Sequence, residues 1–142
     1  MPSRQAPLHG SCMCGSVRFR VTGPFQTAGY CHCTRCRHRS GAMASLNAMV
    51  GADAFELLEG AEHVGTWTPD VGMPKSFCRR CGGHLYSGDR AGGGDLWVRI
   101  GALEDDPGIR PRWRQWLSSS PEWYPIPDDG LPRFAERRGI DL

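Results

Sequence analysis

Seven cysteines fall into three tight groups along this 142-residue chain, and their spacing limits what it can fold into. Cys12 and Cys14 form a C-x-C, Cys31, Cys33 and Cys36 a C-x-C-x-x-C, and Cys78 and Cys81 a C-x-x-C. One tight turn can aim two sulfurs at a common point, which is how a tetrahedral metal is gripped by pairs of ligands. The stretch MPSRQAPLHGSC has no apolar run of a secretory signal, so a cytoplasmic location is expected. Thiols stay reduced there, and an odd number cannot all pair within one chain. Metal ligation is therefore the better reading of these cysteines than disulfide bonding.

The outer pairs complement each other. Cys12 and Cys14 with Cys78 and Cys81 make a four-thiolate set with no open position, which suits a structural zinc. Such an ion contributes roughly 10–16 kcal/mol of coupled folding energy, a large sum for a turn-rich domain. The glycines of CRRCGG support a turn whose amides face the sulfurs. The middle trio is one ligand short. A zinc held by Cys31, Cys33 and Cys36 keeps a vertex for water or substrate, as catalytic sites do, and a thiol entering there loses its proton. Spacing leaves two alternatives open. One middle cysteine could be a small buried apolar residue, or an imidazole could close the set. His38 is the better placed for that, because His32 lies between two ligands and is expected to point away. Thiol redox cycling ranks last, since the trio should capture metal.

The length suits one domain. Expected boundaries are a loose lead-in over 1–9, a zinc-stapled domain over 10–134 and a tail over 135–142. A formal charge of +2 is too balanced to announce a nucleic-acid or membrane partner. Glycine and proline, 19 and 11 residues, punctuate many short segments. Val17, Phe19 and Val21 alternate with Arg18, Arg20 and Thr22 as in a half-buried strand. Strands are also expected in QTAGYC, MASLNAMV, FELLEG, HVGTWTP, KSFC, HLYSG, LWVRIGAL and IRPRWRQWL, although MASLNAMV also suits a buried helix. TRCRHRSG reads as one or two helical turns with Thr34 as cap and Gly41 as stop. The class is mostly β. Arg35, Arg37 and Arg39 are candidate carboxylate partners but fit a solvated face better, and Ser40 fits a helix end. Trp67, Trp97, Trp113 and Trp116 are expected as core or wall, His84 as a half-exposed strand residue, and His9 and His63 at the surface.

The segments GSCMCGSVRF, CHCTRCRHRSGA and FCRRCGGHLYS, in this order, resemble the glutathione-dependent formaldehyde-activating enzyme family, which includes centromere protein V. VRIGALEDDPGIRP and EWYPIPDDGLPRF look like its closing segments, so the resemblance covers about Gly10 to Phe134. It implies an Mss-four-like fold of packed, twisted antiparallel sheets with short helical turns. It implies two zinc ions, one structural on Cys12, Cys14, Cys78 and Cys81 and one substrate-facing on Cys31, Cys33 and Cys36. The family's activity joins glutathione to formaldehyde as S-hydroxymethylglutathione, and members are grouped as carbon–sulfur lyases. The expected partners are thus a small thiol such as glutathione and an aldehyde, with no membrane, nucleic acid disfavoured and a homodimer left open. The alternative is a non-catalytic, zinc-stapled module that binds nucleic acid or protein. One departure is visible: where relatives commonly carry a histidine, PRWRQWL has Arg114.

Overall fold

A computed structural model describes residues 6–138; residues 1–5 and 139–142, within the expected lead-in and tail, lie outside the described part. In chain order the elements are β1 (Leu8–Ser11), β2 (Arg18–Val21), β3 (Thr27–Cys31), α1 (Thr34–Ser40), β4 (Ser45–Gly51) and β5 (Phe55–Glu59). There follow β6 (Val64–Trp67), β7 (Lys75–Cys78), β8 (His84–Ser87), β9 (Asp95–Arg99) and β10 (Arg114–Gln115). The mostly-β expectation is borne out. The chain divides into two compact units, one of residues up to Gln26 with Ala48–Ile109, the other of Thr27–Asn47 with the residues from Arg110 onward.

The first unit is built on strand alternation. Val17, Phe19 and Val21 are buried, while Arg18 and Arg20 carry cross-strand partners on the outer face. β2 pairs antiparallel with β1 on one side and β5 on the other. Arg20 sits opposite Glu56 and bonds it at 2.8 Å, a pair the register makes possible. Phe19 stacks on Phe55 at 5.0 Å, and Phe55 meets the edge of Tyr86 at 4.9 Å. Leu85, Leu96 and Val98 complete the core. β6, β7, β8 and β9 run antiparallel in sequence order. The first strand starts at Leu8, inside the stretch read as lead-in, because Leu8 packs inward and Gly10 meets Phe19 across the ladder.

Two sequence expectations need correcting here. Trp67 is 53% exposed rather than core or wall. It is the last residue of β6, which ends its sheet, with no further strand paired beside it among the described residues. LWVRIGAL does not continue as a strand either. It ends at Arg99, and Ile100–Ala102 form a 3-10 turn.

The second unit carries β3, α1, the start of β4 and β10. β10 runs parallel to β3, with Arg114 opposite Tyr30 and Gln115 opposite Cys31. Only two residues of IRPRWRQWL are strand, since Pro111 has no amide for a ladder. The chain beyond it makes a 3-10 turn at Leu117–Ser119 and is tied back to β10. Arg114 N–H donates to the Pro132 carbonyl, Phe134 N–H to the Arg114 carbonyl, and Trp116 N–H to the Glu136 carbonyl. MASLNAMV is strand, so the helical alternative is excluded. Trp113 is buried, and its indole Nε1 donates to Thr27 Oγ1 at 2.9 Å. Its ring lies flat against Gly29, where any Cβ would enter the indole. Gly29→Ala is therefore expected to destabilise this unit by about 1–3 kcal/mol, as overpacking does, and to lower the thermal unfolding midpoint.

Candidate metal centres

The sulfurs of Cys12, Cys14, Cys78 and Cys81 all lie within 4.8 Å of one another in the first unit. Two matching turns bring them there. After Cys12 the chain reverses at Gly15, whose φ of 78° only glycine adopts cheaply, and Val17 N–H donates to Cys12 Sγ at 3.3 Å. After Cys78 it reverses at Gly82, φ 77°, and Arg80 N–H donates to Cys78 Sγ at 3.4 Å. The expected role of the CRRCGG glycines is thus borne out. Cys12 and Cys14 sulfurs are 3.6 Å apart, and Cys14 and Cys78 sulfurs 3.8 Å. Zinc–sulfur bonds of about 2.3 Å in a tetrahedron separate neighbouring sulfurs by about 3.8 Å, so the donor set fits such an ion. The Cys14 thiol is lowered to about 6, chiefly by the Ser16 side chain, while burial raises Cys78 to about 11.

The second set belongs to the other unit. Cys31, Cys33 and Cys36 sulfurs also lie within 4.8 Å of one another. Cys31 ends β3, Cys33 caps α1 and Cys36 lies in its first turn. The cap is Cys33 rather than the expected Thr34. Its sulfur accepts from Cys36 N–H at 3.3 Å, and helical geometry begins one residue later. Gly41 stops the helix as expected, with φ 73° and its N–H on the Arg37 carbonyl. Ser40 keeps a helix-end role, donating to the Cys36 carbonyl at 2.7 Å and accepting from Ala42 N–H. Cys33 and Cys36 sulfurs are 3.0 Å apart, close enough to share a proton. Hydrogen bonding with Cys31 and Cys36 holds Cys33 down to about 2, while Cys33 first, then Cys36 and burial, push Cys31 far above the usual thiol range.

Among the described residues neither nearby imidazole joins this set. His38 is exposed on α1. His32 is fully buried, and its Nε2 accepts from Arg114 Nη1 at 3.2 Å. An arginine only donates, so the lone pair that a metal would need is already engaged and the proton sits on Nδ1. Burial first, and then the Arg114 charge, hold His32 below its usual pKa. Arg114 in turn donates to Asp129 Oδ2 at 2.7 Å and lies 4.1 Å over the Tyr30 ring.

Other polar neighbours were not visible in the sequence. The Ser45 side chain hydrogen-bonds Cys36, and Asn47 Nδ2 donates to Ser45 Oγ at 2.9 Å. The only signal was that these two residues interrupt an apolar run. Asp129 looked no different from Asp128 beside it. Trp97 and Trp116 are half-buried, His84 is half-buried on β8, and His9 is exposed, as expected. His63 is half-buried beside Glu62, at 3.5 Å, in a 3-10 turn rather than fully at the surface.

Comparison with known proteins matches residues 7–119 to the family described as glutathione-dependent formaldehyde-activating enzyme. The chain belongs to that family. A curated relative from Halomonas elongata, 28% identical over 94% of this chain and 98% of its own, bears the provisional name glutathione-dependent formaldehyde-activating enzyme. A solved Rhodobacter sphaeroides protein shares the fold, with a TM-score of 0.56 and 24% identity over 89% of this chain and 98% of that one. No helix among the described residues is long and apolar enough to cross a membrane.

After metal is stripped with a chelator, alkylation of Cys14 should reach its plateau near pH 7. A thiol lowered to about 6 is already deprotonated there, whereas one at 9.0 still gains rate. Peptide mass spectrometry after iodoacetamide treatment from pH 5 to 9 reads this directly.

Proposed function

We propose that this chain is a two-zinc enzyme of the carbon–sulfur lyase type that joins glutathione, or a closely similar small thiol, to formaldehyde. Cys12, Cys14, Cys78 and Cys81 hold a structural zinc, and Cys31, Cys33 and Cys36 hold the second, within a single domain over 10–134. The observation that carries this reading is the trio's geometry. Three sulfurs converge, and His32, the imidazole threaded between two of them, is turned away and capped by Arg114. Family membership supports the thiol and aldehyde as reactants. Reduced cysteines throughout suit a cytoplasmic enzyme.

In the reaction the thiol's S–H bond breaks, a carbon–sulfur bond forms at the aldehyde carbon, and a proton is returned to the former carbonyl oxygen as S-hydroxymethylglutathione. A zinc ion bound by the trio would lower the pKa of an entering thiol, making it a nucleophile at neutral pH. The protein's own part is placement. β3 and α1 fix three sulfurs on one side of a tight bend, and Ser45, backed by Asn47, steadies Cys36 through its sulfur. Arg35, Arg37 and Arg39 on α1 put positive charge beside the trio, which suits a thiol carrying carboxylates.

Metal analysis and zinc-edge absorption test this reading. Two zinc ions per chain are expected, one gaining a sulfur neighbour when glutathione is added. One zinc, indifferent to thiols, together with salt-sensitive nucleic-acid binding, would replace the enzyme by a binding module. Cys81→Ser should leave the chain largely unfolded, because the structural site supplies roughly 10–16 kcal/mol of coupled folding energy. Cys33→Ser should keep the circular dichroism of the folded chain, lose about one zinc and abolish turnover. Equal unfolding in both variants would refute the division of roles.

A further inference from the structure

We propose that Arg114 is a positioning residue for the cysteine trio, clamping His32 inward so that the sulfurs of Cys31 and Cys33 are kept together on the opposite side. The parallel ladder provides the frame. Tyr30 N–H donates to the Trp113 carbonyl, and His32 N–H donates to the Gln115 carbonyl at 3.0 Å, so extended backbone runs through His32. Side chains alternate along extended backbone. Tyr30 and His32 therefore share one face, and Cys31 and Cys33 share the other.

Arg114 occupies the face of Tyr30 and His32. Its guanidinium stacks over the Tyr30 ring, its Nη1 donates to His32 Nε2, and its Nη2 donates to Asp129. Three contacts from one planar group fix the imidazole's position and its tautomer together. The group is 5% exposed, so its charge needs the Asp129 carboxylate. The chain beyond β10 supplies that carboxylate. Backbone bonds from Arg114 to Pro132 and Phe134 hold this stretch in place, and Asp129 Oδ1 accepts from Leu131 N–H. If His32 could rotate out, the bend at 31–33 would be free to turn one sulfur away from the other two. Lysine could keep the charge pair with Asp129 but has no planar fork to engage His32 at the same time.

The inference rests on the trio's proposed metal role for one readout and stands apart from it for the other. Zinc competition titrations on the full chain should show Arg114→Met weakening the second site about 10–100-fold, the range typical of groups that orient metal ligands. Arg114→Lys should recover the thermal midpoint but not the affinity. In a His32→Gln background, Arg114→Met should add less than about twofold, because the arginine acts through the histidine. The metal-free chain gives the independent readout. Arg114→Met and the milder Asp129→Asn should speed iodoacetamide labelling of Cys31 severalfold while Cys14, in the other unit, is unchanged.

Unchanged Cys31 labelling overturns the clamp. So does an Arg114 effect equally large without His32. Equal acceleration at Cys14 and Cys31 in both variants would mean general loosening, and would overturn it as well. If the wild-type trio takes up no zinc, the two-zinc reading fails, while the labelling comparison still decides the role of Arg114.

Discussion

Sulfur atoms gathered within 4.8 Å pose an electrostatic conflict. As thiolates they repel one another, and as thiols they bind metal poorly. Both cysteine clusters answer it with protons and amides. In the first unit, Val17 and Arg80 N–H groups point at Cys12 and Cys78, and Ser16 lowers Cys14. In the second, the Cys33 sulfur accepts from the Cys36 amide and lies 3.0 Å from the Cys36 sulfur. Within each cluster some thiols are thus lowered and others raised, Cys14 and Cys81 against Cys78 in the first, Cys33 against Cys31 in the second.

The two units solve the remaining problem differently. Around Cys12, Cys14, Cys78 and Cys81, paired turns with glycine at positive φ bring sulfur from distant parts of the chain to one point, beside a core of Phe19, Phe55 and Leu85. Cys12 and Cys78 are buried there, whereas Cys14 is exposed. Around Cys31, Cys33 and Cys36 the ligands lie within six residues, so closing a long loop does no work there. Their precision comes from outside the segment, from a parallel partner strand and from a buried guanidinium on the reverse face. That division is in keeping with the two roles proposed for the sets.

Arg114 illustrates how a departure from a family pattern can be resolved by contacts. The resemblance led to the expectation of a histidine here, and its replacement by arginine could be read as loss of a working group. Instead the side chain lies behind the trio, ties β10 to the imidazole of β3's extension and takes its counter-charge from Asp129. The same contact removes His32 as a fourth ligand, an alternative that spacing had left open.

Much of this was legible in the residues. Alternation in Val17–Val21, turn glycines, the apolar run of β4 and the grouping of cysteines follow from local chemistry, because strand period, left-handed turns and ligand pairing are properties of a few neighbouring residues. The β class and the two sets of sulfurs were determined at that level. The sequence by itself could not determine that Thr34 would yield its capping role to Cys33, that Trp67 would lie bare at the end of a strand order, or that Ser45 would bond Cys36 while Arg114 joined His32 to Asp129. Those choices depend on side chains separated by up to about a hundred residues, and only the folded chain decides which buried charges and lone pairs meet.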